Sequence, residues 1–409
     1  MIVMADAWIA GAAMTTFGRS PHGPEVLASQ AVAAALADGG LAATEIGQVF
    51  LGNAAAGLLL GQEMIRGQVF LRGSGLLGAP IVNVENACAS SSSALSLAVT
   101  AVRGGMLDAA LAVGVEKMTV PDKARVFGAL ASATDTLRRP DMRTLVATTT
   151  LGEARPAGEG APTASAFMDH YAHKGAVYLE KAGGDVHDLA RVVVKSRAFG
   201  ALNPAAQFTT PTTVEEVLAG RVISDPLRLS MCAPIGDGAA AVVVVSDRLA
   251  KRLGRRSVRV AGQGIVSNDP TTPDFPAGLA AAKAFIQAGV GPHDIDVVEV
   301  HDAAAPAELF CLEEIGLCPE GGALGLLRDG VTGPGGRRPV NPSGGLLSRG
   351  HPVGATGCGQ IVELADQLRG RCSARQVPGA RLALAQNSGG ILGDHEAVAV
   401  VTILERTTR

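Results

Sequence analysis

A cysteine in a run of small residues is the first candidate for chemistry in this sequence. Cys88 stands in Asn86–Ser93, which reads NACASSSS, between an apolar, predicted buried strand at Ile81–Val84 and a helix-like run at Ala94–Val102. A helix N-terminus carries partial positive charge and free N–H donors, which favour a thiolate and can bind an oxyanion. Cys88 is therefore a candidate nucleophile, although a single cysteine is more often buried and inert.

A histidine in a glycine-lined loop is the second candidate. His351 lies in Gly350–Gly357, which reads GHPVGATG and follows the glycine-containing segment Asn341–Gly345. An imidazole held in such a loop before a helix can act as a base. A histidine of an ordinary surface loop is the alternative, but packing alone explains so many glycine and proline residues poorly.

Two shorter segments offer further polar groups. His301 and Asp302 come at the end of a predicted buried strand, where α/β folds commonly present functional groups. The segment Asn387–Gly390, which reads NSGG, follows another predicted buried strand and offers unobstructed backbone N–H groups, including that of Gly389. Taken alone, NSGG is more typical of a tight turn.

The composition excludes several classes of function. The chain has 409 residues, 47% of them hydrophobic, which is enough for a large core in two or three structural units. The net charge is −3 and no Lys/Arg-rich run is present, so nucleic-acid binding is not expected. The apolar opening segment is too short and too glycine-rich to span a membrane, and we interpret it as a first buried strand.

Cysteine usage and short motifs narrow the possibilities further. The six cysteines lack CxxC spacing, which favours reduced thiols in a cytoplasmic protein. No phosphate-binding loop, dinucleotide fingerprint or metal motif is found, and no bound metal is expected. Asp394–Glu396 reads DHE, and we interpret it as a charged turn between two strands.

The elements that must position these residues form a repeated pattern. A helix-like run at 33–36 leads through Gly39 and Gly40 to a strand-like run at 45–51, and the same order and spacing return at 282–285, Gly289 and 294–300. Alternating helices and strands predict an α/β fold, here in two related halves.

The region between the halves has more polar loops and two helix-like runs. The predicted division is an N-terminal half at 1–116, an inserted loop domain at 117–231, a return strand and helix at 232–254, and a C-terminal half at 255–409. We expect the insertion to cap the active site; an ordinary connecting domain without a ligand role is the alternative.

Together, the four segments resemble the signature of the thiolase superfamily, most closely its sterol-carrier-protein and archaeal-type branch. The resemblance spans nearly the whole chain, and the GHPVGATG segment is its most specific part. It also includes 195–197, 203–206, 226–227 and 237–241. The resemblance implies two duplicated halves in five αβαβα layers. It further implies an inserted loop domain that contributes to the coenzyme A site, and a homodimer or a dimer of dimers.

The resemblance also implies a role for each candidate residue. Cys88 attacks an acyl-CoA thioester, His351 accepts the thiol proton, and the acyl-enzyme passes its acyl group to a carbon nucleophile or to coenzyme A. One oxyanion site comes from the backbone N–H groups of Cys88 and Gly389, and another from His351 with His301, which stands where many thiolases have asparagine. Asp302 and Asn387 are possible supporting residues. Coenzyme A thioester is the substrate, and no tightly bound cofactor is expected.

The chain departs from the family pattern at the second acid/base, which is normally a cysteine. Asn387 occupies one position where that cysteine occurs and Ala303 the other, and the aromatic residue that usually follows is Ala304. Neither asparagine nor alanine exchanges a proton at neutral pH.

Three explanations of this departure remain open. In the first, another residue transfers the proton; Cys311 and Cys358 are candidates, although we expect both to be structural. In the second, the acceptor is already activated and needs no such residue. In the third, a partner protein, such as a small OB-fold protein with a zinc ribbon, completes the site. Some relatives with such partners are retro-aldol lyases that use tyrosines, and this chain has only Tyr171 and Tyr178. A non-catalytic scaffold that binds coenzyme A or lipid is a further alternative.

Overall fold

The computed structural model describes residues 5–137, 165–254 and 258–407. The strands are β1 Ala7–Met14, β2 Gln48–Gly52, β3 Ile81–Val84, β4 Ala109–Lys117, β5 Val222–Ser224, β6 Leu227–Arg228, β7 Asp237–Ser246, β8 Val258–Ser267, β9 Val297–Glu299, β10 Leu382–Leu392 and β11 His395–Arg406. The helices are α1 Pro24–Gly39, α2 Ala56–Leu60, α3 Arg66–Phe70, α4 Ser90–Arg103, α5 Lys123–Ala131, α6 Ala166–Ala182, α7 Val186–Gly200, α8 Val214–Leu218, α9 Asp247–Leu253, α10 Pro276–Ala288, α11 Ala305–Glu314, α12 Gly322–Arg328, α13 Gly345–Ser348 and α14 Thr356–Arg369.

The main sheet is mixed and has two parts. Its strand order is β3-β2-β4-β7-β1-β8-β11-β10-β9, with β2 parallel to β3 and β4, and β9 parallel to β10. Within the described residues, the two parts pair where β1 meets β8, at Trp8 and Arg259. The sheet therefore divides into the two halves that the sequence repeat predicts.

The repeat is visible in the helix ends as well. Helices α1 and α10 each end at a glycine in the left-handed conformation, Gly40 with φ 70° and Gly289 with φ 68°. A short 3-10 turn and a strand follow each glycine. Glycine adopts a positive φ without the steric cost that a Cβ would add, which is why both helices stop at this residue.

The core is arranged in five layers, as expected. One hydrophobic cluster packs α1 against the N-terminal strands, and another packs α10 and α11 against the C-terminal strands. A third cluster joins α4 and α14 to strands of both halves. Helices α4 and α14 thus form the central layer between two sheet layers and two outer helix layers.

Glycines allow α4 and α14 to approach each other closely. A Cβ on Gly357 would lie 1.9 Å from Ser92 Oγ, and a Cβ on Gly114 would lie 2.5 Å from the carbonyl oxygen of Gly354. Any side chain at these positions would push the two halves apart. The small residues around Cys88 and His351 therefore bring two helix N-termini to one place.

The strand that precedes Cys88 differs from the prediction in its burial. β3 forms as expected, but Val82 and Asn83 are exposed and Ile81 and Val84 are half-buried. The reason is its position at the edge of the sheet, where it pairs with β2 on one side only.

The predicted inserted domain contains α5, α6, α7 and α8 and the small β5–β6 hairpin. Its residues 138–164 lie outside the described part of the chain, and the domain boundaries remain a prediction. Among the described residues, no helix is both long and apolar enough to cross a membrane.

Candidate active site

A cavity of about 300 Å³ lies where the two halves meet. Cys88, His301, His351 and Gly389 line it together, although they come from four distant segments of the chain. Much of the remaining lining is apolar and includes Phe167 and other residues of α6. The structure thus brings the main sequence candidates to one site, beneath a helix of the predicted insertion.

Cys88 is held in a tight 3-10 turn, Ala87–Ala89, directly before α4. Ala87 has φ 48°, a left-handed conformation that a residue with a Cβ rarely adopts. The Ala87 N–H donates to Glu85 Oε1 at 2.7 Å, and the Ala89 N–H donates to the Asn86 carbonyl oxygen at 2.9 Å. These bonds stabilise a strained turn that presents the sulfur to the cavity.

The thiol of Cys88 is protonated at rest. Burial raises its pKa to about 12, and the carboxylates of Glu116 and Glu85 act in the same direction, while the N–H of Cys88 itself lowers it. Burial and negative charge therefore outweigh the helix N-terminus, which by itself favours the thiolate. An attack by this sulfur would require a base to take the proton.

His351 has the tautomer that such a base needs. Its Nδ1 lies 2.7 Å from Thr356 Oγ1, and that hydroxyl donates to the Pro352 carbonyl oxygen at 3.1 Å. A hydroxyl that donates to Pro352 can only accept from Nδ1, so this arrangement favours the tautomer in which Nδ1 is protonated and Nε2 is not. Burial, together with His301 and Arg349, lowers the pKa of His351 well below its usual value, so Nε2 is free to accept a proton at neutral pH.

His301 forms the opposite wall of the site. Its ring lies edge-on to that of His351, with 5.2 Å between the ring centroids. Its backbone N–H donates to Gln386 Oε1 at 2.9 Å, and its Nε2 is buried without a hydrogen-bond partner in the described part of the chain. Burial lowers the pKa of His301 to about 4, so the imidazole is neutral.

The Cys88 sulfur and one ring nitrogen from each of His301 and His351 all lie within 4.8 Å of one another. This spacing suits proton transfer between neighbours, and it would also suit a metal ion. The absence of a bound metal, expected from the sequence, remains a prediction.

Asp302 does not line the cavity. Its side chain faces the start of α13, where Oδ1 accepts the Leu346 N–H at 2.7 Å, and burial raises its pKa well above the usual value. Asp302 therefore fixes the loop that precedes His351.

The segment Asn387–Gly390 is not a turn, and this prediction was wrong. All four residues lie inside β10, and the strand ends at Leu392. Glycine is needed here for close contact rather than for a bend: a Cβ on Gly389 would lie 2.0 Å from the Asn86 carbonyl oxygen. The Asn387 Nδ2 donates to the Cys88 carbonyl oxygen at 3.1 Å and to Ser92 Oγ at 3.0 Å. Asn387 thus ties β10 to the turn of Cys88.

The cavity lacks a second cysteine among the described residues. Cys311 and Cys358 are buried in α11 and α14 and do not line it. Ala303 lines the cavity and Ala304 is fully buried. The described part of the cavity wall thus offers no thiol other than Cys88 for a second proton transfer.

Glu396 is an acidic residue of the cavity wall that was not predicted from the sequence. Glu396 was assigned to a charged turn, but the turn is Gly393–Asp394, and Glu396 is buried in β11 and lines the cavity. The signal was present in the alternation of HEAVAV, which puts Glu396 on the same face of the strand as Val398 and Val400. Both valines are buried against Ala89, the neighbour of Cys88.

Two family models together match almost the whole chain. Residues 7–248 match "Thiolase, N-terminal domain" and residues 258–406 match "Thiolase C-terminal domain-like".

Similar proteins include a thiolase subunit, an acetyltransferase and a sterol carrier protein. Benzoylsuccinyl-CoA thiolase subunit BbsB of Thauera aromatica is 35% identical, with 94% of each chain covered. Acetyl-CoA acetyltransferase of Methanothermobacter thermautotrophicus is 34% identical, with 95% of this chain and 98% of that protein covered. Sterol carrier protein 2 of Gallus gallus is 34% identical over 95% of this chain and 70% of that protein. A solved structure described as "Ltp2-ChsH2(DUF35) aldolase" has the same fold, with a TM-score of 0.77, 24% identity and full coverage of both chains.

Proposed function

We propose that this chain, which belongs to the thiolase family, is an acyltransferase that takes an acyl group from a coenzyme A thioester onto Cys88. The acyl group then passes to a carbon nucleophile or back to coenzyme A. The observation that carries the proposal is the neutral pair of Cys88 and His351, in which a protonated thiol lies beside an imidazole whose Nε2 is unprotonated.

The proposed first step needs only this pair. The Cys88 sulfur attacks the thioester carbonyl carbon as His351 Nε2 takes the thiol proton. The tetrahedral intermediate collapses, the bond from carbon to the coenzyme A sulfur breaks, and the proton moves from His351 to the leaving thiolate. No tightly bound cofactor takes part.

The proposed oxyanion site consists of the backbone N–H groups of Cys88 and Gly389. In support, Gly389 packs directly against the turn of Cys88 with no room for a side chain. A second oxyanion site, for the enolate oxygen of an acceptor, consists of His301, whose Nε2 has no other partner among the described residues, and of His351, which donates from Nε2 once that nitrogen carries a proton. Each donor is expected to contribute about 3 kcal/mol to stabilising the transition state.

We also propose a homodimer that forms through the edge strand β3. The outer side of this strand is unpaired, and large apolar side chains are exposed on the elements around it, namely Met64 at 76%, Ile65 at 61%, Leu97 at 43% and Val82 at 37%. A second copy of the chain would cover these side chains and pair the strand edge. A cytoplasmic location remains a prediction from the sequence.

A second candidate function is retro-aldol cleavage with a partner protein. The observation that favours it is Tyr171, which lines the cavity and whose phenol is kept neutral because burial, with Glu396 and Cys88, raises its pKa. Tyr178 does not line the cavity; its hydroxyl donates to Glu313 at 2.6 Å. The complete Cys88–His351 pair makes acyl transfer the better-supported function.

Intact mass spectrometry tests the proposal directly. The protein is incubated with acyl-CoA thioesters from acetyl to long-chain, including an aromatic acyl group, and Cys88→Ala is the control. A mass gain that equals the acyl group and depends on Cys88 supports the transferase. No gain with any donor would contradict it and leave partner-dependent cleavage or a non-catalytic binding scaffold.

A further inference from the structure

Glu396 is a buried acid that the proposed acylation step does not use. Its side chain is about nine-tenths buried and lines the same cavity as Cys88, His301 and His351. Its Oε1 lies 3.9 Å from Lys174 Nζ, whereas Oε2 has no hydrogen-bond partner among the residues that the structure describes. A buried carboxylate oxygen without a partner is costly, and such groups are often kept for chemistry.

The register of the strands places Glu396 on the face of the sheet that meets the turn of Cys88. Gly389 pairs with Val398, and Ile391 pairs with Glu396. Glu396 is thus two residues from Val398 on the same face of β11, about 7 Å along the strand. Since Val398 packs against Ala89, the carboxylate lies on the face of the sheet that meets the turn of Cys88.

The space beside Glu396 is lined by small residues. Ala303, Gly389 and Gly390 all contribute to the cavity wall and leave room for a second substrate near the Cys88 acyl group. The other acids of the wall are already engaged: Glu85 accepts the Ala87 N–H, and Glu63 is 68% exposed and paired with Arg66. Among the described residues that line the cavity, only Glu396 is a buried acid.

Lys174 is the main group that holds Glu396 in its ionised form. Burial alone would raise its pKa, but Lys174, His170 and His395 outweigh this effect and leave the pKa below its usual value. Lys174 also pairs with Glu314 at 3.4 Å and lies 4.3 Å from the centre of the Phe310 ring. The lysine is therefore fixed from three sides, and the carboxylate beside it is a base rather than an acid.

We propose that Glu396 is the base that activates the acyl acceptor, in the place of the second cysteine that this chain lacks. This inference rests on the proposed acyl transfer and concerns only its second half. The acceptor is a carbon acid, which is a molecule with a proton on the carbon that will be acylated.

Transfer of the acyl group from Cys88 to the acceptor carbon conserves atoms and charge. Glu396 removes the proton from the acceptor carbon, and the electrons of that C–H bond form the new C–C bond to the acyl carbon on Cys88. The C–S bond breaks and Cys88 leaves as a thiolate, which is protonated by a proton that His351 Nε2 takes from solvent and passes to the sulfur. Glu396 returns its proton to solvent, so the net transfer is one proton from the acceptor to the sulfur.

Three variants separate a chemical role from a structural one. Glu396→Gln removes the base but keeps the shape, and Glu396→Asp keeps the carboxylate one methylene further back. Glu314→Gln is the matched control, because it disturbs the same lysine without changing a residue of the cavity wall. The substrates are acyl-CoA donors with three carbon acids as acceptors: acetyl-CoA, a 1,3-dicarbonyl thioester and a polyhydroxylated benzene.

Two rates are measured in single turnovers, formation of acyl-Cys88 by intact mass and formation of the C-acylated product. For Glu396→Gln we expect acyl-Cys88 to form within about threefold of the wild-type rate and product formation to fall by about 100-fold or more, the usual contribution of a general base. Glu396→Asp should retain an intermediate rate, and Glu314→Gln should stay near wild type.

The other outcomes overturn the proposal in distinguishable ways. An equal loss in Glu396→Gln and Glu314→Gln would show a structural role for the cluster. Normal acyl-Cys88 without C-acylated product from any acceptor, in the wild-type protein, would refute the carbon acid and with it the role of Glu396. Absence of acyl-Cys88 itself would instead refute the proposed function.

Discussion

The protonated state of Cys88 gives a prediction that needs no knowledge of the natural substrate. The pKa of Cys88 is raised to about 12 from an ordinary value of 9.0. At pH 7 this change makes the thiolate about a thousand times scarcer, equivalent to about 4 kcal/mol. Direct attack by a pre-formed thiolate is therefore a minor route, and reaction depends on His351 as the base.

The perturbation is His351→Gln, which leaves an amide near the sulfur but no base. We measure alkylation of Cys88 by iodoacetamide between pH 6 and 9 and identify the modified cysteine by peptide mapping. The wild-type rate should stay flat between pH 6 and 8, because the lowered pKa of His351 keeps Nε2 unprotonated throughout. The variant should react about 100- to 10,000-fold more slowly at pH 7, as expected for loss of a general base. Its rate should then rise about tenfold per pH unit, because only hydroxide remains to form the thiolate.

His187→Gln is the control for this experiment, since His187 lies on α7, is largely exposed and does not line the cavity. Its alkylation profile should match the wild type. A plateau for His351→Gln below pH 9 would refute the reasoning, because it would show that the thiolate forms without His351. An acid limb near pH 6.5 in the wild type would refute the assigned state of the histidine.

Three further predictions concern the turn of Cys88, the core and the surface. Gly389→Ala puts a Cβ 2.0 Å from the Asn86 carbonyl oxygen. The rate of acyl-Cys88 formation should fall about 100-fold or more, while the circular dichroism spectrum stays unchanged. A normal rate would show that Gly389 is not part of the oxyanion site. Asp237→Asn leaves Lys117 without its buried carboxylate and weakens the bonds from the Met118 and Thr119 N–H groups, so urea unfolding should show a loss of about 3 kcal/mol. Burial acts to raise the pKa of Asp237, but Lys117 and Thr119 have the larger combined effect and bring the pKa below 3.8. The difference in unfolding free energy between wild type and Asp237→Asn should therefore persist at neutral pH and vanish as the pH falls through the folded-state pKa. A constant difference down to low pH would contradict this assignment. Val82→Lys on the edge strand should convert a dimer to monomers, as measured by light scattering. Ile286→Lys is the control and should leave the dimer intact, because Ile286 lies on α10 and is 82% exposed. A dimer that survives Val82→Lys would argue against the β3 interface.

The sequence predicts the fold and the position of Cys88 and His351 well because both depend on local pattern. The GHPVGATG segment contains the glycines that let α14 approach α4, and the repeated helix–glycine–strand order marks the two halves. These signals are short in range, so they can be interpreted without knowing which distant segments meet.

The predictions that were wrong concern residues whose environment depends on contacts between distant segments of the chain. NSGG was interpreted as a turn because glycine usually serves turns, whereas Gly389 is small here because it contacts a turn about 300 residues earlier in the chain. Glu396 was placed on the surface because an isolated acid is normally solvated; its burial depends on Lys174 in the predicted insertion. The exposure of β3 likewise depends on which strand lies at the edge of the sheet.

The two central helices show how the duplicated halves have divided their tasks. Each half contains a 3-10 turn, Ala87–Ala89 or Val353–Ala355, followed by a helix of 14 residues. By this correspondence the counterpart of Cys88 is Gly354, whose N–H donates to Glu116 Oε2 at 3.1 Å. One copy of the turn contains the proposed nucleophile, and the other forms a structural contact next to His351. Because both copies belong to one chain, they can differ in sequence, and a change in one copy leaves the other intact.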